Sequence, residues 1–244
     1  MTVASPQNLK PRKTPRQARA EATVDAILEA TIQVLLSEGA GRLTTTRVAA
    51  RAGVSVGTMY QYFPHKAALL YAVLKQHLDT IAEAVEAACA RLRGEAIATI
   101  GEGLVLAYLD AKTVRIDVSR ALYLVSADLD TAELLEGIWK RIHGATTALL
   151  ASAADAEFDD LSVVTFTLLA AMSGAIRTVF ERGAAPSMLQ DLRMQLTTMC
   201  RAYLEAVAIT RPTPLAKHRK VAVLMDQRSS QSLVEKFTEV RRQF

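Results

Sequence analysis

Between Leu43 and Lys66 the chain gathers hydroxyl, amide, phenol and ammonium groups at spacings suited to hydrogen bonding along the groove of a polyanion. Thr44 or Thr45 can cap a helix on which Val48 and Ala49 face inward, since a threonine hydroxyl accepts an orphan amide hydrogen of the first turn. Ala52-Gly53-Val54 then ends that helix, because glycine enters the left-handed conformation at little cost. Ser55 is a second cap, and Val56 to Phe63 forms a helix of about two turns. Met59 and Phe63, four apart, face inward together and leave Gly57, Thr58, Gln61 and Tyr62 to face outward. So short a helix is unstable alone in water and must be held by its neighbours.

The order Ala52-Gly53-Val54-Ser55, Gly57-Thr58-Met59-Tyr60-x-Tyr62-Phe63 and Lys66-x-x-Leu69-Leu70 resembles the DNA-binding domain of TetR/AcrR-type transcriptional regulators, over roughly residues 16 to 75. The resemblance implies an all-α chain, with a three-helix helix-turn-helix domain followed by a helical ligand-binding and dimerisation domain. It puts the recognition helix in Val54 to Phe63, with Thr46, Val56, Gly57, Thr58 and Gln61 at base edges. By the same likeness Thr44, Thr45, Tyr60, Tyr62 and Lys66 hold phosphates, contacts that set register without reading sequence. It implies a homodimeric repressor of double-stranded DNA. The chain departs from the family pattern at His65, where a small capping residue is usual. Arg47 and Arg51 are read as surface, not as base readers. The alternative is a helical hairpin used for packing, in a small-molecule sensor or protein-interaction dimer without operator binding.

Charge divides the chain. Residues 1–75 hold ten Lys and Arg against four Asp and Glu, residues 76–210 eleven against eighteen, and residues 211–244 eight against three, giving +6, −7 and +5 within the total of +4. A basic head on an acidic body is the footprint of a chain that meets polyphosphate with one end. The arm 1–15, with Lys10, Arg12 and Lys13, is either a DNA-contacting segment or a solubilising tail.

Helical periodicity and breaks near Gly94, Lys112, Asp128 to Asp130, Asp155 to Asp160 and Gly183 to Pro186 predict nine helices. These are expected at about 17–38, 45–51, 55–62, 66–92, 95–110, 113–126, 131–153, 160–182 and 187–208, so that domains run 16–75 and 76–210. Arg211-Pro212-Thr213-Pro214 opens a linker and tail over 211–244, for which a mobile segment and a docked helix are equally compatible.

Leu161 to Ile176 is apolar nearly all round and rich in small residues, and Leu189, Leu192, Leu196, Met199 and Tyr203 form a stripe on the next helix. The pair reads as half of a four-helix dimer interface through Phe166, Ala170, Gly174, Leu192, Leu196 and Met199, against an intrachain core as the alternative. Tyr108, Tyr123, Trp139, Phe166, Met172 and Phe180 are large enough to line a pocket for a small apolar or amphipathic effector, with Arg120, Asp117 and His143 as candidate polar companions.

No clustered ligands for a metal or residues for catalysis stand out: His65, His77, His143 and His218 fall on separate segments, and no cofactor is expected. Asp155, Glu157, Asp159 and Asp160 are explained by the helix that follows. The longest uncharged run, 16 residues, is short for a membrane span, no secretory signal is read, and two isolated cysteines, Cys89 and Cys200, suit a reducing cytoplasm.

Overall fold

The computed structural model describes residues 18–126 and 129–210, and among these the chain forms nine helices. They are α1 (Ala18–Glu38), α2 (Thr45–Ala52), α3 (Val56–Tyr62), α4 (Lys66–Arg91), α5 (Ile97–Thr113), α6 (Ile116–Ser126), α7 (Ala132–Ala151), α8 (Leu161–Glu181) and α9 (Pro186–Val207). The expected all-α plan holds, with helix ends within a few residues of the periodicity. The basic arm and the segment 211–244 lie outside the described residues.

One break falls elsewhere than expected. Lys112 does not interrupt a helix: it is buried in the last turn of α5, and the chain turns instead at Val114 and Arg115. A charged residue closing an apolar run reads as a solvent-facing end, but only the packing of α6 on α5 decides where its side chain goes.

Two clusters of buried side chains make the interior. The first joins α1, α2, α3 and the start of α4 to Val118, Leu122 and Val125 of α6. The second fills the space among α5, α7, α8, α9 and the later turns of α4. The interior therefore does not divide at residue 75. Helix α4 begins in one cluster and ends in the other, and α6 lends its buried face to the first while Ile116 and Tyr123 pack on the second.

Close approach of α5 and α9 depends on Gly101, where a Cβ would stand 3.2 Å from Leu204 Cδ1 and 3.6 Å from the Arg201 backbone. The start of α5 is capped from afar, since the Ile97 amide donates to Asp155 Oδ1 at 2.8 Å. Of the acidic group Asp155 to Asp160, Asp160 caps the helix that follows, accepting from the Val163 amide at 3.0 Å. A feature that periodicity did not suggest is the antiparallel pairing of β1 (Ala156–Glu157) with β2 (Ile209–Thr210), which ties the end of α9 to the α7–α8 loop. At 21 residues and a mean hydropathy of 1.7, α8 is long and apolar enough to cross a membrane by length and composition, beyond what its 16-residue uncharged run suggested. Here it packs against α6, α7 and α9.

Candidate functional site

The turn between α2 and α3 forms as the residue types dictate. Thr44 is extended and its Oγ1 accepts from the Arg47 amide at 3.2 Å; Gly53 closes α2 at φ +67°, a conformation that strains any residue with a Cβ. Ser55 opens α3, accepting from the Thr58 amide at 3.0 Å. Met59 and Phe63 are fully buried, as their spacing predicts.

What this leaves on the surface is Thr46, Val56, Gly57 and Gln61, with Thr44 beside them and Tyr60 44% exposed. The Tyr60 hydroxyl lies 3.2 Å from Thr45 Oγ1, so Thr45, itself buried, braces α3 against α2. Thr58 is half-buried, with its hydroxyl 2.9 Å from that of Ser55. The expectation that Tyr62 faces outward is corrected: it is 6% exposed. Three residues past Met59, it falls beside the buried face of a 3.6-residue helix. Arg47 is held by Glu38 and the Arg42 carbonyl. His65 proves a competent cap, its Nδ1 accepting from the Ala68 amide at 3.2 Å, and Lys66 Nζ donates to the Ala40 carbonyl at 2.6 Å. All three loops of this unit are thus pinned by local hydrogen bonds.

In the body a cavity of about 460 Å³ lies among α4, α5, α6, α7 and α8. Tyr108, Tyr123, Trp139 and Met172 are among its lining residues. Phe166 is not; it is 57% exposed and borders a shallower recess of about 570 Å³ that shares Tyr108, Tyr123 and Trp139 and is completed by Ala170 and Gly174. Phe180 is buried behind the wall, its ring 5.9 Å from that of Tyr123. Arg120 and Asp117 face solvent and His143 stacks near Trp139, so none of the three is among the lining residues.

The polar groups that do face the cavity were missed. Lys112 donates from Nζ to Tyr123 Oη at 2.9 Å, and burial holds its ammonium down to about 8. His77 of α4 meets Ser119 of α6, Nε2 to Oγ at 3.0 Å, while Ser119 donates its proton to the Lys112 carbonyl at 2.8 Å. Ser119 therefore accepts from His77, which must carry its hydrogen on Nε2. Burial, then the charges of Lys112 and Arg115, lower the His77 pKa to about 4, so the ring is neutral at pH 7. Burial also raises the phenols of Tyr108 and Tyr123, the latter to about 12. The available signal for Lys112 was its place four residues after Tyr108, one helical turn on.

The expected dimer surface is split by the structure. Phe166, Ala170 and Gly174 are exposed on one side of α8 and Met199 is 43% exposed on α9. Leu196, at 2% exposure, belongs to the chain's own core, and Leu192 packs against it. The apolar stripe read on α9 is its inward face except at Met199, which with Met194 is one of its exposed large apolar residues short of the last turn.

Two family profiles match the sequence: bacterial regulatory proteins of the tetR family over residues 27–73, and the tetracyclin repressor-like C-terminal domain over residues 97–204. An HTH-type transcriptional regulator of Mycobacterium tuberculosis is 35% identical over 74 residues, 29% of this chain; the match spans 38% of that relative's length. A TetR-family transcriptional regulator from Mesorhizobium loti has a similar fold at a TM-score of 0.61 and 20% identity, over 79% of this chain and all of that one. SmeT, solved as a complex with triclosan, superposes with a TM-score of 0.57 at 20% identity, over 79% of this chain and 97% of SmeT.

Proposed function

The chain belongs to the TetR family of bacterial regulatory proteins, and on that premise we propose that it is a sequence-specific DNA-binding transcriptional regulator. It acts in the cytoplasm as a homodimeric repressor of a near-palindromic operator and is released by a small apolar or amphipathic effector. The observation that carries this reading is the exposed edge of α3, where Val56, Gly57, Tyr60 and Gln61 stand clear of the core on a helix braced from both ends. Thr46, Val56, Gly57, Thr58 and Gln61 read base edges, and Thr44, Tyr60 and Lys66 meet phosphates. Thr45 and Tyr62 support the helix from beneath.

One such helix reads too little DNA, so two copies engage half-sites about one helical turn apart, roughly 34–36 Å or a variant of that spacing. The surface that supports pairing is the outer side of α8, with Val163, Phe166, Ala170 and Gly174, together with Met194 and Met199 of α9. Gly174 has open space around its Cα. An arginine there leaves the protomer intact and is expected to yield monomers in sedimentation; an undisturbed dimer would assign pairing to another face.

The cavity lies within the usual range of small-molecule sites, and SmeT, of the same fold, holds triclosan. Two elements join it to the DNA-facing unit. Helix α4 starts at Lys66 and contributes Leu74, His77, Leu78 and Val85 to the lining. Helix α6 gives Val118 and Val125 to the first core, Ser119 and Tyr123 to the cavity, and Leu122 to both. Just before α6, Arg115 forms a two-pronged ion pair with Glu29 of α1, at 2.7 and 3.3 Å. An effector that favours one setting of α6 shifts α1 and α4 with it, by no more than its differential affinity for the two states.

The test is selection of the purified protein on a random double-stranded DNA library, with titration of the winner at several salt concentrations. An enriched near-palindrome with a steep salt slope is expected. Salt-sensitive binding without an enriched sequence would leave only a basic surface, and no binding would leave a sensor or interaction dimer.

A further inference from the structure

We propose that the effector is a monocarboxylic acid on an apolar body, with its carboxylate held by Lys112. This rests on reading the cavity as the effector site.

Charge around the cavity carries the inference. Lys112 is 4% exposed, and its Nζ stands over the rings of Tyr123, Tyr108 and Phe180, at 4.7, 5.6 and 6.0 Å from their centroids. Among the described residues no carboxylate comes within 4.0 Å of it. The other charged lining groups are already paired: Glu136 with Lys140 at 3.2 Å, Arg177 with Glu181 at 2.6 Å. His77 adds no charge at neutral pH, and its Nε2 hydrogen is committed to Ser119. Among the described residues, the cavity lining thus holds one uncompensated cation. Ring faces and one phenol oxygen replace only part of the water such a group loses.

A neutral occupant would displace the remaining water and leave the ammonium unmatched, and a cation would be repelled. A dianion would import a second charge into a wall made of Leu74, Val85, Leu104, Ile138 and Met172. A single carboxylate balances the site. An ammonium has three donors, of which Tyr123 takes one, and Tyr108, one turn earlier on α5, also belongs to the lining. The apolar remainder has about 460 Å³ to fill.

Trp139 is the chain's single tryptophan and it lines the cavity, so its emission reports occupancy in the full-length protein. At pH 7 the probes are matched pairs, decanoate with decan-1-ol and 4-phenylbutyrate with 4-phenylbutan-1-ol. The expected result is a Kd at least about tenfold lower for the acid than for its alcohol, the scale of a charge-assisted hydrogen bond set among buried groups. Lys112→Met should abolish that preference while still binding the alcohols, and Lys75→Met, at an exposed lysine whose partner Asp79 is not a lining residue, should preserve it. Acid and alcohol binding alike, or an acid preference that survives Lys112→Met, overturns the proposal and leaves the effector cavity standing. Silence of Trp139 toward all four probes overturns the effector cavity and this proposal together.

Discussion

The helix-turn-helix unit and the cavity treat their polar groups in opposite ways. Around α2 and α3 each of Thr44, Ser55, His65 and Lys66 finds a partner in a neighbouring turn or loop, so the outer edge of α3 is presented by a framework already braced by its own hydrogen bonds. In the body, Lys112 is buried with an aromatic hydroxyl for company and no countercharge among the described residues. A surface meant to meet a rigid, ever-present polymer is best finished in advance. On the proposed reading, a cavity that takes up an effector must keep some favourable energy unclaimed until the molecule arrives.

Substitutions can break or sharpen that contrast. The largest effect is expected for Met59→Ala, which empties a fully buried position at the centre of the braced unit; unfolding by urea should show a loss of about 2–5 kcal/mol. Lys112→Met should go the other way and stabilise the apo protein by about 3 kcal/mol at pH 7, less whatever the bond to Tyr123 contributed. The sign follows from protons. The folded pKa of about 8 lies below the ordinary 10.5, so the unfolded chain binds more protons between these values and the wild type gains stability as pH rises from 8 to 10.5. The advantage of the Lys112→Met variant over the wild type should accordingly shrink toward pH 10.5, and a destabilised variant at pH 7 would mean that the bond to Tyr123 and the ring contacts outweigh the cost of burying the charge. Ser55→Ala removes a cap and should lower stability by about 1 kcal/mol. Smallest is Arg115→Ala: its pair with Glu29 is nearly half exposed on both sides, so stability should fall by less than about 1 kcal/mol, while any change in effector response reads its part in coupling.

The same contrast explains what was legible in the residues. The braced unit is built from rules of three and four residues, and Thr44, Gly53, Ser55, Met59 and Phe63 sit where those rules put them. Tyr62 was misread although the same spacing, three residues from Met59, places it on the buried side. In the body the deciding contacts join residues far apart in sequence. Asp155 caps a helix that starts 58 residues earlier, and Lys112 owes its burial to Tyr123 and Phe180 on two other helices. Leu196 had the correct periodicity and the wrong neighbour, because spacing identifies an apolar face without saying whether the face meets its own chain or another. Strands of two residues are too short to leave any period.

The sharing of α6 between the two cores also bears on how this protein can be taken apart. The portion that would face DNA ends near residue 75, yet a wall of its interior, Val118, Leu122, Val125 and Leu129, arrives some forty residues later. Excised at that boundary, the first four helices would present to water the apolar flank that α6 covers. Transplanting this reader onto a foreign sensor requires a host helix of matching shape at the graft, so modularity here belongs to the architecture of two helices in contact and not to a stretch of sequence.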